Sequence, residues 1–216
     1  MNKSEDILHN LFGSMPVFIF NINCYNRNLI SVYSVNGKKI IFKKFNEKES
    51  AIKEKFFYKV LRTHCKIPQT YFESDDFIIT EFIESSTPNL IRAVRDWARI
   101  HSDFLENKIL EDKLMFKHQP RNLSDYVLKH KEIFGENTEK LREILSSKKR
   151  EENHSTLIHG DLFGRNILTM NENNYYIDFE FSGSGHPTKD LSLLLLNHHD
   201  MKGEIIKIYR ENMHYY

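Results

Sequence analysis

The stretch from Leu157 to Ser182 constrains the fold of this chain more than any other part of its sequence. It opens with the run H-G-D, which ends at Asp161, and Asn166 follows that aspartate by five positions. An apolar strand, Ile167 to Met170, then leads through a polar turn into a second strand that ends just before Asp178. The pattern predicts a β-hairpin with one carboxylate before it and a second carboxylate after it.

These three polar side chains have the chemistry that phosphoryl transfer needs. The first carboxylate can orient a hydroxyl group, while the amide and the second carboxylate can share a hard cation. Mg²⁺ prefers oxygen ligands, and it usually takes one or two from a protein while water and phosphate supply the rest. The stretch therefore favours a phosphoryl-transfer site over a hairpin whose polar residues only cap turns.

The motif H-G-D-x-x-x-x-N followed by I-D-F resembles the catalytic and metal-binding loops of the aminoglycoside phosphotransferase and choline kinase-like families. Protein kinases carry H-R-D-x-x-x-x-N and D-F-G in the corresponding places. This sequence has Gly160 in place of that arginine and Glu180 in place of that glycine. The resemblance is therefore to kinases of small molecules, and it implies a two-lobed protein kinase-like fold of the α+β class.

The resemblance also implies a role for each polar residue of this stretch. Asp161 would hold the acceptor hydroxyl and take its proton. Arg165 would meet the γ-phosphate or an acidic acceptor, unless it is a surface arginine. Asn166 and Asp178 would carry a Mg²⁺ ion that bridges the nucleotide phosphates. Asp190 would brace the catalytic loop rather than take part in the chemistry.

Composition argues against several other classes of protein. The 216 residues carry 31 Lys and Arg against 30 Asp and Glu, and this net charge of +1 predicts no nucleic-acid or membrane partner. Only two cysteines are present, in no metal-ligand spacing, so neither a disulfide framework nor a zinc site is expected. Without a signal peptide or an apolar run of about 20 residues, the sequence predicts a cytoplasmic protein.

The first half of the chain predicts an antiparallel sheet followed by a helix. Three β-rich runs occupy residues 16–45, and Asn36-Gly37 between the last two is a strong hairpin signal. A helix is predicted from Glu47 to His64. Its apolar face would consist of Ile52, Phe56, Val60 and Leu61.

The resemblance implies that this sheet and helix hold the phosphoryl donor, ATP or GTP. Lys43 or its neighbour Lys44 would reach the nucleotide phosphates, with Lys43 preferred from strand alternation, and Glu54 would fix the position of that lysine. Taken without the downstream motif, these charged residues would be read as solvated surface groups. One departure concerns the loop Asn23 to Asn28, which lacks the glycine that the family commonly places near phosphate.

The strand D-F-I-I-T-E-F-I resembles the kinase segment that binds the purine. Thr80 would border the base pocket, and the main chain of Glu81, Phe82 and Ile83 would pair with the purine edge. Because backbone contacts leave little side-chain signature, the sequence does not separate ATP from GTP.

The second half of the chain predicts mainly helices around the hairpin. A helix is predicted from Asn89 to Asn107, and further helical patterns lie within residues 123–134 and 141–145. His101 falls on the apolar stripe of the first of these helices and is expected to be a core histidine. His159 is expected to hold the catalytic loop by hydrogen bonds.

The predicted architecture has a small antiparallel β lobe at residues 1–83 and a mainly helical catalytic and acceptor lobe at residues 84–216, abbreviated at the C-terminus. The short C-terminal part has three explanations: a small substrate, a partner subunit that completes the acceptor pocket, or loss of catalysis.

The predicted function is transfer of the γ-phosphoryl group of ATP or GTP to a hydroxyl of an aminoglycoside-like or other hydroxylated antibiotic. A choline- or ethanolamine-type amino alcohol is the alternative acceptor, favoured by the run I-D-F-E-F. From another class, the alternative is an inactive nucleotide-binding regulator.

Overall fold

A five-stranded antiparallel sheet forms the first part of the molecule. The computed structural model describes residues 3–22, 28–105 and 156–213. The strands of this sheet are β1 (Val17–Ile22), β2 (Asn28–Val35), β3 (Lys38–Phe45), β4 (Thr70–Glu73) and β5 (Phe77–Glu81). Their order in the sheet is β1-β2-β3-β5-β4. The sequence pattern does not predict β4, because a strand of four residues is too short to show a period.

The hairpin of β2 and β3 is confirmed. Both residues of its turn have positive φ, 52° at Asn36 and 73° at Gly37. A two-residue turn of this kind matches the twist of the strands that it joins. The register that follows pairs Ile30 with Lys43 and Val32 with Ile41.

Helix α2 (Lys48–Leu61) is present, and its predicted apolar face is confirmed for Leu61, Phe56 and Val60, which pack on the core, but not for Ile52. Ile52, which the prediction placed on the buried face, is 43% exposed. The side chains that α2 buries are Ala51, Glu54, Phe57, Tyr58 and Leu61. The helix is rotated so that Glu54 faces the sheet, which a pattern of apolar residues alone does not indicate.

Helix α1 (Lys3–Phe12) covers one face of the sheet, and the sequence prediction contains no such helix. Its Leu8 is fully buried in a small apolar core on this face. The strand residues of this core are Tyr33, Val35, Ile40, Phe42, Phe77 and Ile79. Successive residues of a strand point to opposite faces of the sheet, and Phe42 faces α1. Lys43 therefore lies on the face that is opposite α1.

The main core surrounds helix α3 (Leu90–Leu105), at whose start the Arg92 N–H donates to Asn89 Oδ1 at 3.0 Å. Trp97 of α3 is fully buried. The predicted helix at residues 89–107 is confirmed from Leu90 to Leu105. The predicted helical patterns at 123–134 and 141–145 lie outside the described residues.

Two short sheets and two helices complete the described part of the chain. The elements are β6 (Thr156–Ile158), β7 (Ile167–Met170), β8 (Asn173–Tyr176), β9 (Gly183–Gly185), α4 (Thr188–Asn197) and α5 (Lys202–Asn212). Strand β7 pairs with β8 in the predicted hairpin, and β6 pairs with β9. Among the helices of the described ranges, none has the length and apolar character to cross a membrane.

The core under α1 yields a stability prediction. Leu8→Ala should lower the free energy of unfolding by about 3 kcal/mol, because it leaves a cavity in a packed site. Leu11→Ala in the same helix is the matched control, since Leu11 is 41% exposed, and it should cost less than about 1 kcal/mol. Urea denaturation checks both values, and equal losses would contradict the packing of α1 on the sheet.

Candidate active site

The turn that follows β6 is held by one buried carboxylate, Asp190 of α4. The backbone N–H of His159 donates to Asp190 Oδ2 at 2.7 Å, and that of Gly160 donates to Oδ1 at 2.9 Å. Burial acts to raise the pKa of Asp190, but His101 and the donors from His159 hold it below its ordinary value. The predicted bracing role of Asp190 is confirmed by these contacts.

His101 is a core histidine, as predicted. Its Nε2 lies 3.2 Å from Asp190 Oδ2, and its Nδ1 lies 2.6 Å from the Tyr209 hydroxyl of α5. Its side chain is fully buried. The histidine therefore ties α3, α4 and α5 together behind the H-G-D turn.

His159 links this turn to the segment before Asp178. Its Nδ1 accepts the N–H of Asp161 at 3.3 Å, and its Nε2 donates to the Ile177 carbonyl at 3.1 Å. Burial lowers the pKa of His159, so the ring is neutral at pH 7. The hydrogen bonds that the sequence analysis expected of His159 are present.

Gly160 occupies a position that other residues fit poorly. Its φ is +81°, in the left-handed region. A Cβ atom placed there would lie 2.2 Å from the Phe181 carbonyl oxygen and 2.9 Å from its carbonyl carbon. This close approach explains why the run reads H-G-D.

Asp161 lies between two donors from the turn that follows it. Asn166 Nδ2 donates to the Asp161 carbonyl at 2.8 Å and to Oδ2 at 2.9 Å. Arg165 Nη2 donates to the same Oδ2 at 3.0 Å. Within the described part of the chain both side-chain contacts fall on Oδ2, so Oδ1 is the oxygen that Asp161 can offer to a hydroxyl.

The Arg165 side chain is exposed, and its contacts with Asp161 and Phe163 fix its orientation. Its side chain is 70% exposed, and its guanidinium lies 5.0 Å from the centre of the Phe163 ring. The sequence analysis left a surface arginine and a phosphate-binding arginine open and did not anticipate a contact with Asp161. The structure places the guanidinium beside the carboxylate, at the rim of the site.

Asp178 stands in a strained conformation at the end of the hairpin. Its φ of 67° and ψ of 61° are left-handed values, which cost a non-glycine residue about 1–2 kcal/mol. The preceding Ile177 N–H is fixed by the Asn166 carbonyl at 3.2 Å. The next residue, Phe179, packs on His159, with ring centres 4.9 Å apart. These contacts hold the backbone on both sides of Asp178, with Ile177 beside Asn166, and such strain is typical of functional sites.

Lys43 joins the sheet, α2 and the hairpin in one ion triad. Its Nζ lies 2.6 Å from Glu54 Oε2 and 2.9 Å from Asp178 Oδ1. Burial acts to lower the pKa of Lys43, but the two carboxylates raise it above its ordinary value. Attraction to Lys43 likewise outweighs burial and holds the pKa of Asp178 below its ordinary value. The structure thus brings together Lys43, Glu54 and Asp178, and it leaves Lys44 exposed.

The residues that could hold a metal ion are Asn166 and Asp178. Since Asn166 Nδ2 donates to Asp161, Oδ1 of its amide is the atom that it can offer a cation. Within residues 3–22, 28–105 and 156–213, no group of three or more His, Cys, Asp and Glu is placed to hold a metal. Two oxygen ligands fit Mg²⁺, which takes its remaining ligands from phosphate and water.

Three isoleucines beside Lys43 were missed by the sequence analysis. Ile30 lies opposite Lys43, Ile22 lies opposite Ile30, and Ile41 is two residues before Lys43. Opposite residues and residues two apart point to the same face of a sheet. None of the three is fully buried, so they form an apolar platform next to the ammonium group. Strand alternation around Lys43 was the signal that could have identified them.

The segment predicted to bind the purine leaves the end of β5. Thr80 is buried and lies opposite Ile41, at the edge of the isoleucine platform. The Glu81 N–H donates to the Gln69 carbonyl at 2.8 Å. A purine contact at Glu81 would therefore use its carbonyl, while Phe82 and Ile83 follow the strand. Of the glycine-free loop from Asn23 to Asn28, residues 23–27 lie outside the described part of the chain, and Asn28 begins β2.

Comparison with known proteins adds an independent finding. A family model described as the phosphotransferase enzyme family matches residues 34–211. No curated protein matches the sequence.

Three solved structures illustrate the likeness of fold. A macrolide 2'-phosphotransferase from Brachybacterium faecium has a TM-score of 0.68 at 14% identity, over 97% of this chain and 83% of the other. A choline kinase from Cryptosporidium parvum Iowa II has a TM-score of 0.70 at 14% identity, over 98% and 80%. The streptomycin-ATP-APH(2")-IIa ternary complex has a TM-score of 0.64 at 17% identity, over 97% and 82%. These likenesses confirm the predicted kinase-like fold.

The geometry at Gly160 yields a test with a matched control. Gly160→Ala should lower the free energy of unfolding by about 3 kcal/mol, because it adds left-handed strain and overpacking against Phe181. Gly164 has open space around its Cβ position, so Gly164→Ala should change stability by less than about 1 kcal/mol. Thermal or urea unfolding of the two variants would refute the close approach if their losses were the same.

The lowered pKa of Asp190 yields a pH dependence. Because its folded-state pKa lies below the unfolded value, its contribution to stability is present above about pH 4 and is lost as pH falls through the folded-state pKa. Asp190→Asn should cost about 2 kcal/mol at pH 7 and lose less stability on acidification than the wild type. Urea titrations between about pH 3 and pH 7 check this. The exposed Asp75→Asn is the control, and unchanged acid sensitivity in Asp190→Asn would count against the assignment.

Proposed function

Because the chain belongs to the phosphotransferase enzyme family, we propose that it transfers the γ-phosphoryl group of ATP or GTP to a hydroxyl group of a small molecule. The observation that carries this proposal is the ion triad of Lys43, Glu54 and Asp178, whose hairpin is hydrogen-bonded at Ile177 to Asn166, the residue that holds Asp161. In this proposal, residues 1–83 form the nucleotide-binding lobe and residues 84–216 form the catalytic and acceptor lobe.

The donor site is proposed on the sheet face that carries Lys43. The isoleucine platform would contact the base, Thr80 would border it, and the main chain of Glu81, Phe82 and Ile83 would pair with the purine edge. The Lys43 ammonium, positioned by Glu54, would contact the nucleotide phosphates. One of the similar structures is a ternary complex with streptomycin and ATP, which supports a nucleotide donor.

Asn166 and Asp178 would hold Mg²⁺. When bound, that ion would neutralise charge on the transferring phosphoryl group. Two ligands from the protein leave its other positions to the nucleotide phosphates and water. The fixed backbone conformation of Asp178 would limit the directions in which its carboxylate can meet the ion.

Asp161 would act on the acceptor. Its Oδ1 accepts the hydroxyl hydrogen and takes the proton as the acceptor oxygen bonds to the γ-phosphorus atom and the bond to the β-phosphate oxygen breaks. Asn166 fixes the carboxylate through Oδ2. Arg165, on the same Oδ2, would place a positive charge where the transferring phosphoryl group meets the acceptor.

An aminoglycoside-like or other hydroxylated antibiotic is the first proposed acceptor. Similar structures include a macrolide phosphotransferase and a complex with streptomycin, which support this choice. A choline- or ethanolamine-type amino alcohol is the second candidate, favoured by the run I-D-F-E-F and by the likeness to a choline kinase. The presence of Lys43, Glu54, Asp161, Asn166 and Asp178 together argues against an inactive regulator, because a chain freed from catalysis has no reason to keep the full set.

The proposal is tested by incubating the protein with Mg²⁺, ATP or GTP, and a panel of antibiotics and amino alcohols. Mass spectrometry should show the addition of one phosphoryl group to members of one chemical class. If no compound gains phosphate while Mg²⁺ and nucleotide still raise the melting temperature, the protein is a nucleotide-binding regulator or needs a partner subunit to complete its acceptor pocket.

Replacement of the proposed base gives a kinetic prediction. Asp161→Asn should lower kcat by about 10²- to 10⁴-fold, because an amide cannot take the hydroxyl proton. Nucleotide affinity should stay within about threefold of the wild type, because Asp161 acts on the acceptor and not on the donor. Steady-state kinetics and calorimetric titration separate the two effects. Asp75→Asn, an exposed carboxylate on the turn before β5, is the control and should keep wild-type kcat.

A further inference from the structure

The ammonium group of Lys43 contacts the same carboxylate that is proposed to bind the metal. Lys43 Nζ lies 2.9 Å from Asp178 Oδ1, and its other partner is Glu54 Oε2 at 2.6 Å. The Glu54 side chain is 1% exposed, whereas the Asp178 side chain is 32% exposed. The ammonium therefore bridges one carboxylate deep in the protein and one that is open to solvent.

Two cations cannot share Asp178 without mutual repulsion. At separations of a few ångströms, charges in a partly buried site interact by several kcal/mol, and solvent screens them little. A divalent cation on the Asp178 carboxylate would thus compete with the Lys43 ammonium. The distance between Lys43 and Asp178 makes this a direct competition rather than a long-range effect.

Glu54 makes the competition reversible. When Lys43 leaves Asp178, it keeps the Glu54 carboxylate as a partner, so no buried ammonium is left uncompensated. Nucleotide phosphates would supply the second negative partner that Lys43 loses. The triad therefore has two arrangements, with Lys43 shared by two carboxylates or by one carboxylate and a phosphate.

We propose that Lys43 blocks the binding of divalent cations to Asp178 until its ammonium group leaves Asp178 to bind the nucleotide phosphates. This inference rests on the proposed function, because it takes Asp178 as a metal ligand and Lys43 as a phosphate ligand. Its consequence is that nucleotide and metal bind cooperatively through the lysine as well as through direct bonds between phosphate and metal. Lys43 is then a positioning residue for the metal site in addition to a contact for the nucleotide.

The experiment measures Mn²⁺ binding to the full chain without nucleotide, by electron paramagnetic resonance. Lys43→Met should bind Mn²⁺ about tenfold more tightly than the wild type, because the competing cation is gone. Lys43→Gln, which keeps a polar group beside Glu54, is the second variant should the methionine variant fail to fold. Adding Asp178→Asn to either variant should remove the gain, which shows that the added affinity belongs to this carboxylate.

Lys44→Met is the matched control. Lys44 is the next residue of β3, carries the same charge, and is exposed. Its replacement should leave Mn²⁺ affinity within about twofold of the wild type. The reason is that the repulsion comes from the ammonium group in contact with Asp178 and not from the net charge of the protein. A gain in Lys44→Met equal to that in Lys43→Met would overturn the inference.

A second measurement uses ADP as the probe. The factor by which Mn²⁺ strengthens ADP binding, measured by calorimetric titration, should be about tenfold smaller in Lys43→Met than in the wild type. Equal factors, or Mn²⁺ affinity in Lys43→Met no higher than in the wild type, would overturn the inference. If the wild type binds no ADP at any Mn²⁺ concentration, the proposed function fails instead, and the nucleotide-free Mn²⁺ result still decides whether Lys43 blocks Asp178.

Discussion

The ion triad of Lys43, Glu54 and Asp178, of which Lys43 and Glu54 are buried, joins the three segments on which the site depends. One charge comes from β3, one from α2 and one from the loop after β8, so their contacts fix the sheet, the helix and the hairpin relative to one another. Buried charges are costly, and losing one partner leaves the others uncompensated, typically at about 3–5 kcal/mol. The triad also sets the rotation of α2, since Glu54 must face the sheet to reach Lys43.

Asp190, a buried carboxylate outside the ion triad, holds the H-G-D turn on the other side of the site. It accepts the two backbone N–H groups of the H-G-D turn, and His101 links it to α3 and α5. His159 of this turn donates a hydrogen bond to the Ile177 carbonyl, which fixes the segment before Asp178. The ion triad and Asp190 therefore hold different loops. Asp161 and Asn166 lie between these loops, and their side chains are already hydrogen-bonded to each other. The site is preorganised by polar contacts, which favours catalysis by positioning and electrostatics.

The sequence predicted the parts of this arrangement that are local. The H-G-D run, the β7–β8 hairpin and the Asn36-Gly37 turn depend on neighbouring residues, and they supported a family resemblance that the family model confirms. The unpredicted rotation of α2 and the unpredicted isoleucine platform depend on contacts between distant segments. The rotation of α2 follows from one polar residue in an apolar pattern, and the isoleucine platform follows from strand register. The contact of Arg165 with Asp161 depends on the conformation of the turn between them, which the order of residues does not specify.

A crystal structure of the chain with Mg²⁺ and a non-hydrolysable ATP analogue would show whether these residues form one nucleotide and metal site for phosphoryl transfer. We expect the base on the isoleucine platform, the phosphates at Lys43, and the metal on Asn166 and Asp178 within reach of Asp161. An analogue bound away from the ion triad, or a metal held by other residues, would contradict this expectation.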